Sequence, residues 1–236
     1  MTDRTIAELE IALKTAREQG NAEAEIGALT GLGSLLQKSR QLAQAASCFL
    51  QARKRVEDGG SPKDRAVVLA GLGCVYWEMA QLKKAMTLLD EARNLAKQCD
   101  DATGQAVIAA FLGISYWRKC QWREAVACFK EALAMGRSFK PAGAVAGRER
   151  YASLQEAMER GVATLQNRIR LGREQRDPLK ILQPLFSMIP LFLFTGRESE
   201  MESLLWEAIP LAEQSGKTDM LDVIPELRNL RDHFNR

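Results

Sequence analysis

The chain has 236 residues, 46% of them hydrophobic and 27% charged, with 33 basic side chains against 30 acidic ones. This composition buries a core and excludes a disordered or fibrous chain. A net charge of +3 is too small to argue by itself for nucleic acid or membrane. The five cysteines, Cys48, Cys74, Cys99, Cys120 and Cys128, are odd in number and lack C-x-x-C spacing. Four of them fall within expected helices, so they read as small, reduced core residues in a reducing cytoplasm. Met1-Thr2-Asp3-Arg4 leads into an amphipathic segment and not an apolar one, so no signal peptide is expected.

The first element is a helix over residues 3–19, with Leu9, Leu13 and Ala16 on one face. A helix pair follows: Ile26, Leu29, Leu32, Leu35 and Leu36 recur at three- and four-residue spacing, then Leu42, Ala45, Ala46, Phe49, Ala52 and Val56 do the same. Both stretches keep the 3.6-residue period and neither alternates as a strand would. The pattern returns with Val68, Leu69, Leu72 and Val75 ahead of Leu82, Ala85, Leu88, Leu89 and Ala92. It returns again with Ile108, Phe111, Leu112 and Ile114 ahead of Trp122, Ala125, Val126, Phe129 and Ala132. Start signals mark the boundaries: Ser61-Pro62-Lys63-Asp64, Asp177-Pro178, Asn21 and Asp100-Asp101 supply cap side chains, proline at the first helical position or early acids.

Three segments repeat at a fixed spacing of 40 residues. Leu32-Gly33, Leu72-Gly73 and Leu112-Gly113 are each followed by Gln41, Gln81 and Gln121, then by Ala45, Ala85 and Ala125, then by Ala52, Ala92 and Ala132. Self-similarity at such a period marks a stacked repeat in which each unit packs on its neighbours. The small residues fit close approach of two antiparallel helices, and Phe49, Leu89 and Phe129 fill the gap toward the next unit.

Leu-Gly, an aromatic three residues on (Tyr76, Tyr116), then Ala, a bulky apolar residue and Ala together resemble the tetratricopeptide repeat over residues 22–138. The 40-residue unit is longer than that family's usual one, and Leu36 stands where the first unit would carry its aromatic. The resemblance implies an all-α fold, a right-handed superhelical stack of antiparallel helix pairs. The expected division is a capping helix over 1–20, repeats over 22–58, 61–98 and 101–138, a divergent helical unit over 142–176, a degenerate repeat over 178–215 and a capping helix over 219–236. Leu185, Met188, Phe192 and Gly196, then Leu204, Leu205, Ala208 and Leu211, carry the weakened pattern of the degenerate repeat.

Catalysis finds no support. His233 is the single histidine and sits near the chain end, so a nucleophile–histidine–acid set or a histidine zinc site would rest on one residue. Gly31-Leu32-Gly33 and Gly71-Leu72-Gly73 fall inside helices, where backbone N–H groups are committed, and form no phosphate loop. No enzyme, cofactor or metal is expected. The family resemblance instead implies a concave groove lined by the first helices, which holds an extended peptide or a partner helix. Its residues would be Gly27, Thr30, Ser34 and Gln37, then Val67, Ala70, Cys74 and Trp77, then Val107, Ala110, Ile114 and Trp117, with Arg118 adding polar specificity. A helix turning 100° per residue cannot bury both Tyr76 and Trp77 against one neighbour, so the tryptophans are expected as exposed anchors. The asparagines and lysines of the family's chaperone-tail clamp are missing: Ser34, Cys74 and Ile114, with Gly31, Gly71 and Phe111, stand in their places.

Two further features bear on partners. Arg148, Arg150, Arg160, Arg168, Arg170, Arg173 and Arg176, with Lys180, face fewer acids, and Glu156–Arg160, Arg170–Glu174 and Arg173–Asp177 are spaced to pair along a solvated helix. Residues 181–194 are apolar but broken by Pro184 and Pro190, too short for a span of about 20 apolar residues. They read as a buried helix whose second face points to self-association. The resulting expectation is a cytoplasmic, non-enzymatic scaffold or adaptor that binds a protein or peptide. The alternatives are a ligand- or peptide-sensing regulatory module and an RNA or polyanion binder using residues 148–180.

Overall fold

The computed structural model describes residues 5–137, 152–194, 197–226 and 228–229. Among the described residues the chain is all helical: α1 (Ile6–Glu18), α2 (Ala22–Lys38), α3 (Leu42–Gly59), α4 (Pro62–Glu78), α5 (Leu82–Gln98), α6 (Ala102–Arg118), α7 (Trp122–Arg137), α8 (Ala152–Glu174), α9 (Pro178–Phe194) and α10 (Glu198–Gln214), with a 3₁₀ helix at Thr218–Val223. They form two compact units that divide between Ile108 and Ala109, inside α6.

A seventeen-residue helix and a three-residue turn recur through much of the chain, and the turn has one chemistry. Gly20, Arg40, Ala80, Asp100 and Cys120 each adopt a left-handed φ between 51° and 64°. The next amide reaches back across the turn, as Gln41 N–H does to Leu36 O and Gln81 N–H to Tyr76 O, each at 2.8 Å. This closure satisfies the orphan carbonyls at a helix end and reverses the chain. Arg176 and Gly216, 40 residues apart, repeat it after α8 and α10. The recurring Gln41 and Gln81 start α3 and α5 without a side-chain cap. Asn21, Ser61, Asp101 and Asp177 do cap, each accepting a backbone N–H of the first turn.

In the first unit, α2 with α3 and α4 with α5 form antiparallel pairs. The Phe49 ring sits between two glycines: a Cβ on Gly33 would lie 2.8 Å from it, and one on Gly71, across the next helix pair, 2.5 Å. Leu9 of α1 meets Gly31 in the same way, at a looser 3.2 Å, and Leu89 meets Gly73 at 2.9 Å. Polar braces tie successive helices together. Buried Glu25 accepts from Arg17 Nε at 2.9 Å and from Arg55 Nε at 2.8 Å, joining α1, α2 and α3. The Arg17 hydrogen bond, ahead of the nearby charge of Arg55, holds the Glu25 carboxyl below the usual carboxylate range.

In the second unit, Gly113 again faces a ring, with a Cβ there only 2.4 Å from Phe129. Prolines shape the rest. Pro190 inside α9 has no N–H, so it cannot donate to the carbonyl four residues back, that of Phe186. Trp117 takes the place of the missing donor: its Nε1–H donates to Phe186 O at 2.7 Å, and its indole stacks on the Phe186 ring at 5.2 Å. Trp122 meets both rings edge-on, at 4.7 Å from Trp117 and 5.6 Å from Phe186.

Several expectations are corrected here. Trp77 and Trp117 are 6% and 2% exposed. The half-exposed members of the aromatic pairs are Tyr76 and Tyr116, so the argument that one of each pair stays near solvent holds with the roles exchanged. For Trp117 the reason is the carbonyl that Pro190 releases. Only Cys48, Cys74 and Cys128 lie within helices, while Cys99 ends α5 and Cys120 occupies a turn. Arg173 pairs with Glu207 of α10 and not with Asp177, whereas Glu156–Arg160 and Arg170–Glu174 pair as expected. Leu182, Leu185, Phe186, Met188, Ile189, Leu191 and Phe192 are all buried within this unit. These seven side chains therefore give no argument for self-association, which stays an expectation. After α10 the chain passes through a 3₁₀ helix at Thr218–Val223 and is α-helical at 224–226 and 228–229, within the segment expected as the closing helix. Arg148, Arg150, Gly196 and His233 lie outside the described residues.

Two substitutions test this packing. Gly71→Ala should lower stability by about 1–3 kcal/mol through overpacking. The loss should shrink in a Phe49→Leu background, where position 71 acquires the leucine neighbour that Gly31 already tolerates; thermal melts of the four variants report it. Trp117→Phe keeps the stack but leaves the Phe186 carbonyl unpaired, and should cost about 1–3 kcal/mol in chemical denaturation.

Candidate functional site

The groove residues named from the sequence are mostly core. In the first unit Gln37, Ala70, Cys74 and Trp77 are buried, and Thr30, Ser34, Val67 and Val107 are half-buried. Gln37 is a brace between α2 and α4: its Nε2 donates to Cys74 Sγ at 3.0 Å and to Glu78 Oε1 at 2.6 Å, while Arg40 pairs with the other Glu78 oxygen at 2.7 Å. The Thr30 and Ser34 hydroxyls donate back to Ile26 O and Thr30 O of their own helix. In the second unit Ala110, Ile114 and Trp117 are buried and Arg118 is exposed. What stays accessible of the named residues is Gly27 and Arg118, with the half-buried Thr30, Ser34, Val67 and Val107. Seventeen-residue helices with two-sided neighbours have few positions left over for a groove.

The second unit carries a cleft of about 760 Å³ between the α6–α7 turn, the end of α8, the start of α9 and the segment after α10. Its construction follows from local sequence. Arg176 in the left-handed region closes α8. Asp177 Oδ1 accepts the Leu179 and Lys180 amides to open α9. Pro184, like Pro190, interrupts the α9 ladder and leaves the Lys180 carbonyl without its usual donor. Gly172 of α8 packs against that carbonyl, where a Cβ would come within 2.8 Å. The two helices thus converge at the cleft floor. Trp122, held edge-on by Trp117 and Phe186, forms a half-exposed wall.

The lining has two characters. Trp122, Leu171, Leu179, Leu182 and Met220 are apolar; Arg168, Lys180 and Lys217 are cationic; Asp219 is the one acid. Leu171 is 39% and Leu179 49% exposed, two of the five large apolar side chains that stand exposed among the described residues. Lys180 is partly neutralised, 2.9 Å from Gln175 Oε1 and 3.5 Å from Asp177 Oδ2. Arg168 and Lys217 have no carboxylate partner among the described residues. Partial desolvation, then the like charge of Arg168, lower the pKa of Arg118. No cluster of three His, Cys, Asp or Glu side chains among the described residues is placed to hold a metal ion.

Sequence reasoning placed Arg168 and Lys180 in a salt-bridged stripe and Trp122 on the apolar face of its helix, and it passed over Leu179 and Lys217. One signal was present. Trp122 stands 40 residues after Leu82 and 80 after Leu42, an indole where the other units need only leucine.

Residues 24–98 and 64–138 match the family model described as tetratricopeptide repeat. No curated protein matches the chain. Among solved structures, BtubC (BKLC) from P. vanneervenii is 18% identical, with 91% of this chain and 92% of that one covered and a TM-score of 0.51. A tetratricopeptide repeat protein from Parabacteroides merdae is 13% identical, covering 98% and 93%, with a TM-score of 0.45. The repeats of a Podosopora anserina kinesin light chain are 14% identical, covering 80% and 96%, at 0.44. The helix pairs, their 40-residue period and the match to the family model agree: residues 24–138 are tetratricopeptide repeats, the stacked modules of protein-interaction scaffolds.

Proposed function

We propose that the protein is a non-enzymatic adaptor that holds a peptide or helix of a partner protein, and that the cleft of the second unit is its ligand seat. The observation that carries this is the pairing of a repeat scaffold with a partly apolar cleft of about 760 Å³. Most of the residues expected to line the groove are buried or half-buried. Glycine-locked helix pairs keep the cleft preformed, so little ordering entropy is lost when it is filled. Leu171 and Leu179 are exposed before binding and become buried by it, the usual arrangement of an anchoring patch. The five cysteines form no disulfide among the described residues, which suits a reducing compartment, and the cytoplasm is the proposed setting. Among the described residues no helix is long and apolar enough to cross a membrane. Self-association is not part of this reading.

The test is affinity capture with the full chain and with Leu171→Asp/Leu179→Asp, followed by titration of the purified partner. A partner bound by the wild type should bind the variant about tenfold more weakly or worse, the loss expected for two central anchors. Equal binding would move the interface off the cleft. Failure of either bait to retain any partner at micromolar concentration would contradict the adaptor reading.

A further inference from the structure

We infer that the cleft selects an acidic, amphipathic peptide: a segment with one or more carboxylates within about three residues of a bulky apolar side chain. The inference rests on the adaptor reading and adds the chemistry of the ligand. Its first support is charge. Three cations face one acid around the opening, and two of the three, Arg168 and Lys217, lack a carboxylate partner among the described residues.

Neighbouring basic residues are engaged: Arg160 with Glu156, Arg170 with Glu174, Arg173 with Glu207 and Arg197 with Glu200. Arg168 and Lys217 border the same cleft from segments far apart in sequence. A guanidinium and an ammonium placed so are met by a carboxylate, the guanidinium through two N–H groups at once.

The second support is apolar. A polyanion such as RNA would need only the charges. Here the cations stand over exposed Leu171 and Leu179, the Trp122 face and Met220, which a phosphate backbone leaves unsatisfied. A peptide with a carboxylate beside a leucine- or phenylalanine-sized side chain satisfies both. The volume, about 760 Å³, falls within the range of pockets that seat a few side chains. The site also lies at the turn edge of the helices and does not use Val107, Ala110 or Ile114 of the expected groove.

The experiment pans a random dodecapeptide display library on the full-length protein, then measures synthetic peptides of the enriched sequence against three proteins. These are the wild type, Arg168→Glu/Lys217→Glu and Leu179→Ser, each checked for an unchanged circular dichroism spectrum and melting temperature. All three positions are exposed, so the fold should survive. Enriched peptides should combine Asp or Glu with Leu, Ile, Phe or Trp. Binding should fall about tenfold or more in both variants and should weaken with added salt.

Enrichment without an acidic bias, or equal binding to the variants, would overturn the inference. So would single-stranded RNA that competes as well as the peptide while ignoring Leu179→Ser. If no peptide is enriched although affinity capture yields a partner, the selectivity is wrong and the adaptor reading stands; failure of the capture as well would remove both.

Discussion

The contact on which the structure depends is a large side chain pressed into a glycine. Phe49 occupies the space that a Cβ on Gly33 or Gly71 would fill, and Phe129 does the same at Gly113. Such contacts leave helices no latitude, because interiors packed near crystal density transmit a displacement and do not absorb it. Turn chemistry reinforces the constraint. The left-handed residue of these turns is an arginine, alanine, aspartate or cysteine in five cases and a glycine in two, so these helix ends are fixed despite a local conformational cost of about 1–2 kcal/mol for a non-glycine residue. The packing on both sides outweighs it.

Prolines do for the second unit what glycines do for the first. A helix interior normally excludes proline because a carbonyl loses its donor. Here the released carbonyls are used. That of Phe186 receives the Trp117 indole, and that of Lys180 lies where Gly172 lets α8 come close. Burial of Trp117 and convergence of the cleft floor are two results of one sequence feature, and both take the unit away from the regular repeat. An accessible cleft forms where the regular pattern is broken, because unbroken helix pairs seal their own faces.

The fold was legible for the same reason that the site was not. Period, small residues and caps are local signals, and Gly33, Gly73, Gly113, Asn21, Ser61 and Asp177 announced their roles in the sequence. Exposure is not local. Tyr76 and Trp77 are adjacent, and which one faces solvent depends on neighbours that no spacing rule names. Gln37, a polar residue on an expected groove face, proved to be a buried brace to Cys74 and Glu78. The cleft joins residues around 120, 170, 180 and 218, and nothing in any one of those stretches identifies the others as its companions. The arginine stripe shows the middle case. Its i,i+4 pairs could be read from spacing, but the Arg173–Glu207 bridge between helices could not.

The most direct measurement is hydrogen–deuterium exchange on the full chain with and without its captured partner. Slowed exchange in peptides covering residues 168–183 and 217–220, with α2 and α4 unchanged, is the expected result for a ligand seated in the cleft. Protection confined to α2 and α4, with the cleft segments exchanging as in the unbound chain, would return the binding surface to the first helices and contradict it.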